Sequence, residues 1–132
     1  SLTANAYFHL LIHKLAVAMH ATDEEMKVQM VLDYGTQMTD DFGLPIGFKL
    51  PAEVDPSVIC PYTKCFDERE ERGRTFKCYL VYKPTHLMNT AEMARLIDGT
   101  IYECKEMGIE TDTPEEIARL KSLWEEMEKR AK

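Results

Sequence analysis

The stretch THLMNTAEMARLIDGTIYECKEMGIETDTPEEIARL, residues 85–120, decides how this chain folds. Asn89 is a residue type that caps a helix, and Glu92 stands three positions on, completing a capping box. Met93, Leu96, Ile97, Ile101 and Cys104 then recur at three- and four-residue spacing, the pattern of one buried helical face. Gly108 is the stop, and Ile109 makes the apolar contact that follows such a stop. The run Thr113-Pro114-Glu115-Glu116 combines an N-cap, a proline at the first helical position and a capping glutamate. It opens a second helix with Ile117, Leu120, Leu123, Trp124 and Met127 on one side.

Working back, Phe76, Cys78, Leu80 and Tyr82 alternate with Lys77, Tyr79, Val81 and Lys83. Period two predicts a strand over 75–83, with the first set as its apolar face. Residues 58–67 predict a partner strand, and Pro61 makes it an edge. The charged stretch 68–74, with Gly73, is then a somewhat long, solvated hairpin tip. Residues 36–57 hold Asp40, Asp41, Gly43, Pro45, Gly47, Pro51 and Pro56, all turn formers, and predict a long loop. Long loops are commonly functional. Its apolar residues Phe42, Leu44, Ile46, Phe48 and Leu50 either pin it to a core or sit beneath a partner.

The N-terminal third predicts two helices. The first spans about 2–20, with Phe8, Ile12, Leu15, Ala16 and Met19 as its apolar face. Thr22 and Glu25 form a capping box for the second, over about 23–34, with Met26, Met30 and Val31 buried and Gly35 as a left-handed C-cap. The expected fold is α+β: two N-terminal helices, a β-hairpin and two C-terminal helices in one domain over residues 1–132. Ser1 sits directly on a helical pattern, so we expect a fragment of a slightly larger domain.

The composition, 45% hydrophobic and 30% charged, is that of an ordinary globular chain. No apolar run nears the roughly 18 residues that span a membrane, and no stretch reads as a signal peptide. Cys60, Cys65, Cys78 and Cys104 are irregularly spaced, which predicts free thiols. The net charge of −7 is uneven. Residues 60–86 alone are positive, with 6 basic and 4 acidic side chains. Overall acidity argues against strong non-specific duplex binding.

Several constellations invite chemistry. His9, His13 and His20 fall within about 40° of each other on a helical wheel, one stripe with H-x-x-x-H metal spacing. Leu10 follows His9 where a metalloprotease has Glu, so a polar seam is the plainer reading. Cys60, Cys65, Cys78 and His86 make a conceivable zinc set without the C-x2-C knuckle. Nucleophile elbow, P-loop and dinucleotide glycine patterns are absent from the sequence, and no cofactor is expected. The hairpin is the best binding candidate. Tyr62, Phe66, Phe76, Tyr79 and Tyr82 are interleaved there with Lys64, Arg69, Arg72, Arg74, Lys77 and Lys83. Aromatic faces stack unpaired bases while cations meet phosphate. Of these, the six cations are the expected phosphate contacts, and Tyr62, Phe66 and Tyr79 the stacking faces. The plainer alternative is a core strand with a solvated charged face, since Glu68, Glu70 and Glu71 offset the cations.

Two segments carry a family resemblance. Ser1-Leu2-Thr3-Ala4-Asn5 resembles the S-L-x-x-N helix start of the phage NinB (Orf) recombination family. Thr85, Met88, Glu92 and Gly108-Ile109 resemble that family's C-terminal strand exit, helix start and helix stop. Together the segments cover about half of the chain, and the shared features are mostly structural. The whole chain is similar to proteins of phages and prophages of gut bacteria. The resemblance implies a NinB-like domain that dimerises and binds single-stranded DNA. It also implies a role in loading a recombinase in the cytoplasm of a bacterial host, without cofactor or catalysis. Two departures stand out: family members carry strand-forming sequence ahead of that first helix, and residues 36–57 have no counterpart. Other function classes remain open. One is a protein-interaction module acting on a host or phage replication or recombination protein, suggested by eight methionines and an acidic last helix. Another is a metal-dependent nuclease.

Overall fold

A computed structural model describes residues 3–131; Ser1 and Leu2, part of the S-L-x-x-N motif, lie outside the described residues. The fold is α+β, with four α-helices and a three-stranded antiparallel sheet. Helix α1 spans Ala4–Met19 behind the Thr3 cap, and α2 spans Asp23–Tyr34 behind the Thr22–Glu25 capping box. Helix α3 spans Thr90–Glu106 behind the Asn89–Glu92 box, and α4 spans Pro114–Ala131, where Thr113 Oγ1 accepts the Glu116 amide at 3.3 Å. The starts of α2, α3 and α4 were readable because a cap is a contact between residues three apart, whereas the Thr3 cap of α1 fell inside the helix expected from about residue 2. Two stops differ from expectation. Gly35 is not left-handed: its φ of −81° and ψ of −167° are extended. A side chain is excluded there instead, because a Cβ would stand 2.3 Å from the Val31 carbonyl oxygen. The left-handed cap is His20, at φ 56°, which closes α1 by donating its amide toward the Ala16 and Val17 carbonyls.

The helices share one core. Tyr7, Phe8, Leu11, Ile12, Leu15 and Ala16 of α1 pack with Leu96, Ile97 and Cys104 of α3. Met26, Met30 and Val31 close one side, and Ile117, Leu120 and Trp124 the other. Met19, expected inside, is the last residue of α1 and is 50% exposed, while Leu15 and Ala16 in the preceding turn are buried.

The long loop contains a strand. β1 (Gly47–Pro51) pairs with β3 (Arg74–Val81), which also pairs with β2 (Thr63–Glu71), giving the order β1-β3-β2. The hairpin is therefore two thirds of a sheet, and β3 is central. β2 is an edge, as expected, but begins at Thr63, since Pro56–Val58 forms a 3-10 turn. The tip is tighter than expected. Glu71 pairs with Arg74, leaving Arg72 and Gly73 as the only turn residues, at φ 53° and 76°. Two positive φ values are the I′ arrangement, which matches strand twist and favours glycine at its second position.

The sheet stands out from the helices. Tyr62, Leu80 and Tyr82 at the base join the helical core, while every residue of β2 beyond Thr63 is exposed.

Candidate nucleic-acid interface

Register sorts the hairpin residues onto two faces. Directly paired residues share a face, and alternate residues of one strand do too. Phe76, Cys78 and Leu80 of β3 define one face; Arg69 lies opposite Phe76, Lys49 opposite Cys78, and Lys64 opposite Leu80. Arg74 precedes Phe76 by two and joins them. This face therefore carries Lys49, Arg69 and Arg74 near Phe76, and Lys64 further along at Leu80. The cations sit on aromatic rings: Lys49 Nζ lies 5.1 Å from the Phe76 centroid, Arg74 Cζ 5.6 Å from it, and Lys64 Nζ 5.4 Å from that of Tyr82. Such distances are those of cation–π contacts. Glu71, Arg72, Arg74 and Phe76 line a recess of about 410 Å³ at the tip.

Carboxylates hold three of these cations. Lys49 Nζ donates to both Glu71 oxygens at 2.7 Å, Arg69 Nε to Asp67 Oδ2 at 3.0 Å, and Arg74 Nη2 to Glu53 Oε1 at 3.0 Å. Hydrogen bonds from Arg74 and Arg69 hold the Glu53 and Asp67 carboxyls below the usual range, so both remain anionic at neutral pH. Among the described residues, Lys64, Arg72 and Lys77 form no ion pair.

The other expected contacts divide. Lys77 lies on the opposite face, opposite Glu68 and Leu50. Lys83 lies past the strand, where its ammonium donates to Glu92 at 3.1 Å, at the start of α3. Tyr62 and Tyr79 are not free stacking faces, being 5% and 6% exposed. Tyr62 is part of the helical core, and Tyr79 is covered by Phe48 of β1, 5.5 Å between centroids. Phe66 does stand free, 56% exposed, at the bulge where β2 slips between Cys65 and Asp67. Lys49 was missed because it belongs to a strand that sequence patterning had assigned to a loop. Its one signal was the alternation of Phe48, Lys49 and Leu50.

The histidine stripe does not form a site. His13 Nδ1 lies 3.1 Å from Asp23 Oδ1, His20 is the left-handed cap of α1, and no group of three or more His, Cys, Asp or Glu gathers among the described residues. All four cysteines are free. No helix is long and apolar enough to cross a membrane.

Comparison with protein-family models, curated proteins and solved structures returns no match for this chain.

Proposed function

We propose that this protein binds single-stranded DNA through the projecting sheet and acts by binding, as a recombination mediator of the phage NinB kind. The observation that carries the reading is one sheet face with four cations, Lys49, Arg69 and Arg74 near Phe76 and Lys64 further along the same face beside Leu80 and Tyr82. The sheet is open on both sides of β2, so an extended strand could lie against it without moving a helix. Phosphates meet the cations, and Phe66 and Phe76 are aromatic surfaces of the kind that stack on bases. A duplex offers no free base faces. In this role the protein acts as a homodimer, alongside host recombination proteins in the bacterial cytoplasm.

The test is fluorescence anisotropy with a labelled single-stranded oligonucleotide and a duplex control, at low and moderate salt. Preference for the single strand, weakening with salt, supports the reading. Replacing Arg72 and Arg74 together should weaken binding and flatten its salt dependence. Unchanged affinity in that double variant would remove the hairpin tip from the interface.

A second reading rests on Phe42. The Asp40 carboxylate accepts the amides of Phe42 and Leu44, at 2.8 and 3.0 Å, and this fixed turn presents the Phe42 ring 90% exposed. An ordered loop that holds an aromatic ring in water suits a protein-interaction module acting on a host or phage replication or recombination protein. Pull-down of host proteins that is lost in Phe42→Ser, with no DNA binding by the wild type, would favour this reading over the first.

A further inference from the structure

The cationic face is closed on itself. Glu53 follows β1 and Glu71 ends β2, so two carboxylates arrive from opposite edges of the sheet. They hold Arg74 and Lys49, and these are the two cations stationed over Phe76. Both positive charges over the ring are thus engaged by the protein's own acids, and Glu71 also lines the recess beside it. The pairs are also open to exchange. The side chains of Lys49 and Glu71 are 39% and 44% exposed, and those of Arg74 and Glu53 59% and 66%. Exposed pairs of this kind are weak, and a phosphate offers the same guanidinium and ammonium donors a competing oxyanion.

We propose that Glu53 and Glu71 are internal competitors for the strand: they stand in for phosphates in the free protein and are displaced when a strand binds. This rests on the single-strand-binding reading and adds a control to that site. Exchange does two things at once. It hands Arg74 and Lys49 to phosphate oxygens, and it draws them off Phe76, which becomes available to a base. Binding is thereby held weak, so that a mediator can release its strand to a following protein. No covalent bond is made or broken in this step.

The experiment measures affinity for a labelled oligothymidylate at low salt for three full-length proteins. These are the wild type, the double variant E53Q/E71Q, and E125Q/E126Q on exposed positions of α4, which makes the same change in net charge. Release of two cations should tighten binding by E53Q/E71Q about three- to thirty-fold over the control. The slope of log affinity against log salt should stay close to that of wild type, because the same two phosphates are met in both complexes. An equal gain in both double variants, or none in E53Q/E71Q, overturns the exchange while single-strand binding stands. If none of the three proteins binds, single-strand binding itself falls, and the exchange with it.

Discussion

The ring of Tyr34 occupies the space a side chain at residue 99 would need: a Cβ on Gly99 would stand 2.1 Å from Tyr34 Cγ. Tyr34 is the last residue of α2, and its hydroxyl donates to Glu103 Oε1 at 2.5 Å, one helical turn further along α3. That hydrogen bond pushes the Tyr34 hydroxyl up to about 12. The contact sets how closely α2 and α3 approach, and so fixes the helical body from which the sheet projects.

Gly99→Ala should therefore destabilise the protein by about 1–3 kcal/mol, although alanine is the better helix former. Chemical denaturation measures this. Tyr34→Ala in the same chain should recover part of the loss, since it removes the ring that clashes. Equal stability of Gly99→Ala and wild type would mean that α2 and α3 separate freely.

Glu92 ties the base of the sheet to α3. It is 7% exposed, completes the cap of α3 and pairs with Lys83. Burial opposes its ionisation, but the Asn89 amide, the Lys83 ammonium and the Thr36 hydroxyl outweigh that, and the carboxyl lies below its ordinary value of 4.5. A lowered folded value contributes stability above pH 4.5, which is lost as pH falls through the folded value. Glu92→Gln keeps the cap, loses the charge, and should be less stable than wild type at neutral pH by about 1–3 kcal/mol. The difference should shrink in acid, and melting curves from pH 7 down to about pH 3 follow it. A gap that is constant with pH would mean the charge is not involved.

The two sheet faces predict opposite outcomes for lysine replacement. Lys49→Gln with Lys64→Gln should weaken single-strand binding and reduce the salt slope by about 0.7 for each phosphate left without its lysine. Lys77→Gln, on the other face, should do neither. A loss of affinity with Lys77→Gln as large as with the pair would place the strand elsewhere.

Arg72 permits stability and binding to be separated. It holds a left-handed φ of 53°, a conformation asparagine adopts more readily than arginine. Arg72→Asn should melt at or above the wild-type temperature while binding the strand more weakly. Weaker binding together with a lower melting temperature would point to a damaged hairpin instead of a missing positive charge.

The sequence by itself determined what depends on neighbours in the chain. The Thr22–Glu25 and Asn89–Glu92 boxes, the Gly108 stop and the period-two alternation of residues 76–82 were legible because each is satisfied within a few residues. The order of elements, and with it the α+β class, followed. Tertiary structure alone decided the rest. β1 was hidden among turn formers because its evidence is its pairing with β3, residues 47–51 against residues 76–80. That pairing brings Lys49 to Phe76, and no local pattern could announce it. Tyr62 and Tyr79 have the same alternation as exposed aromatics, yet one enters the helical core and the other lies beneath Phe48. Alternation says that two faces differ, but which face meets solvent depends on what packs against each. The site is therefore a property of the register, since a shift of one residue would carry Arg69 and Lys49 away from the face of Phe76.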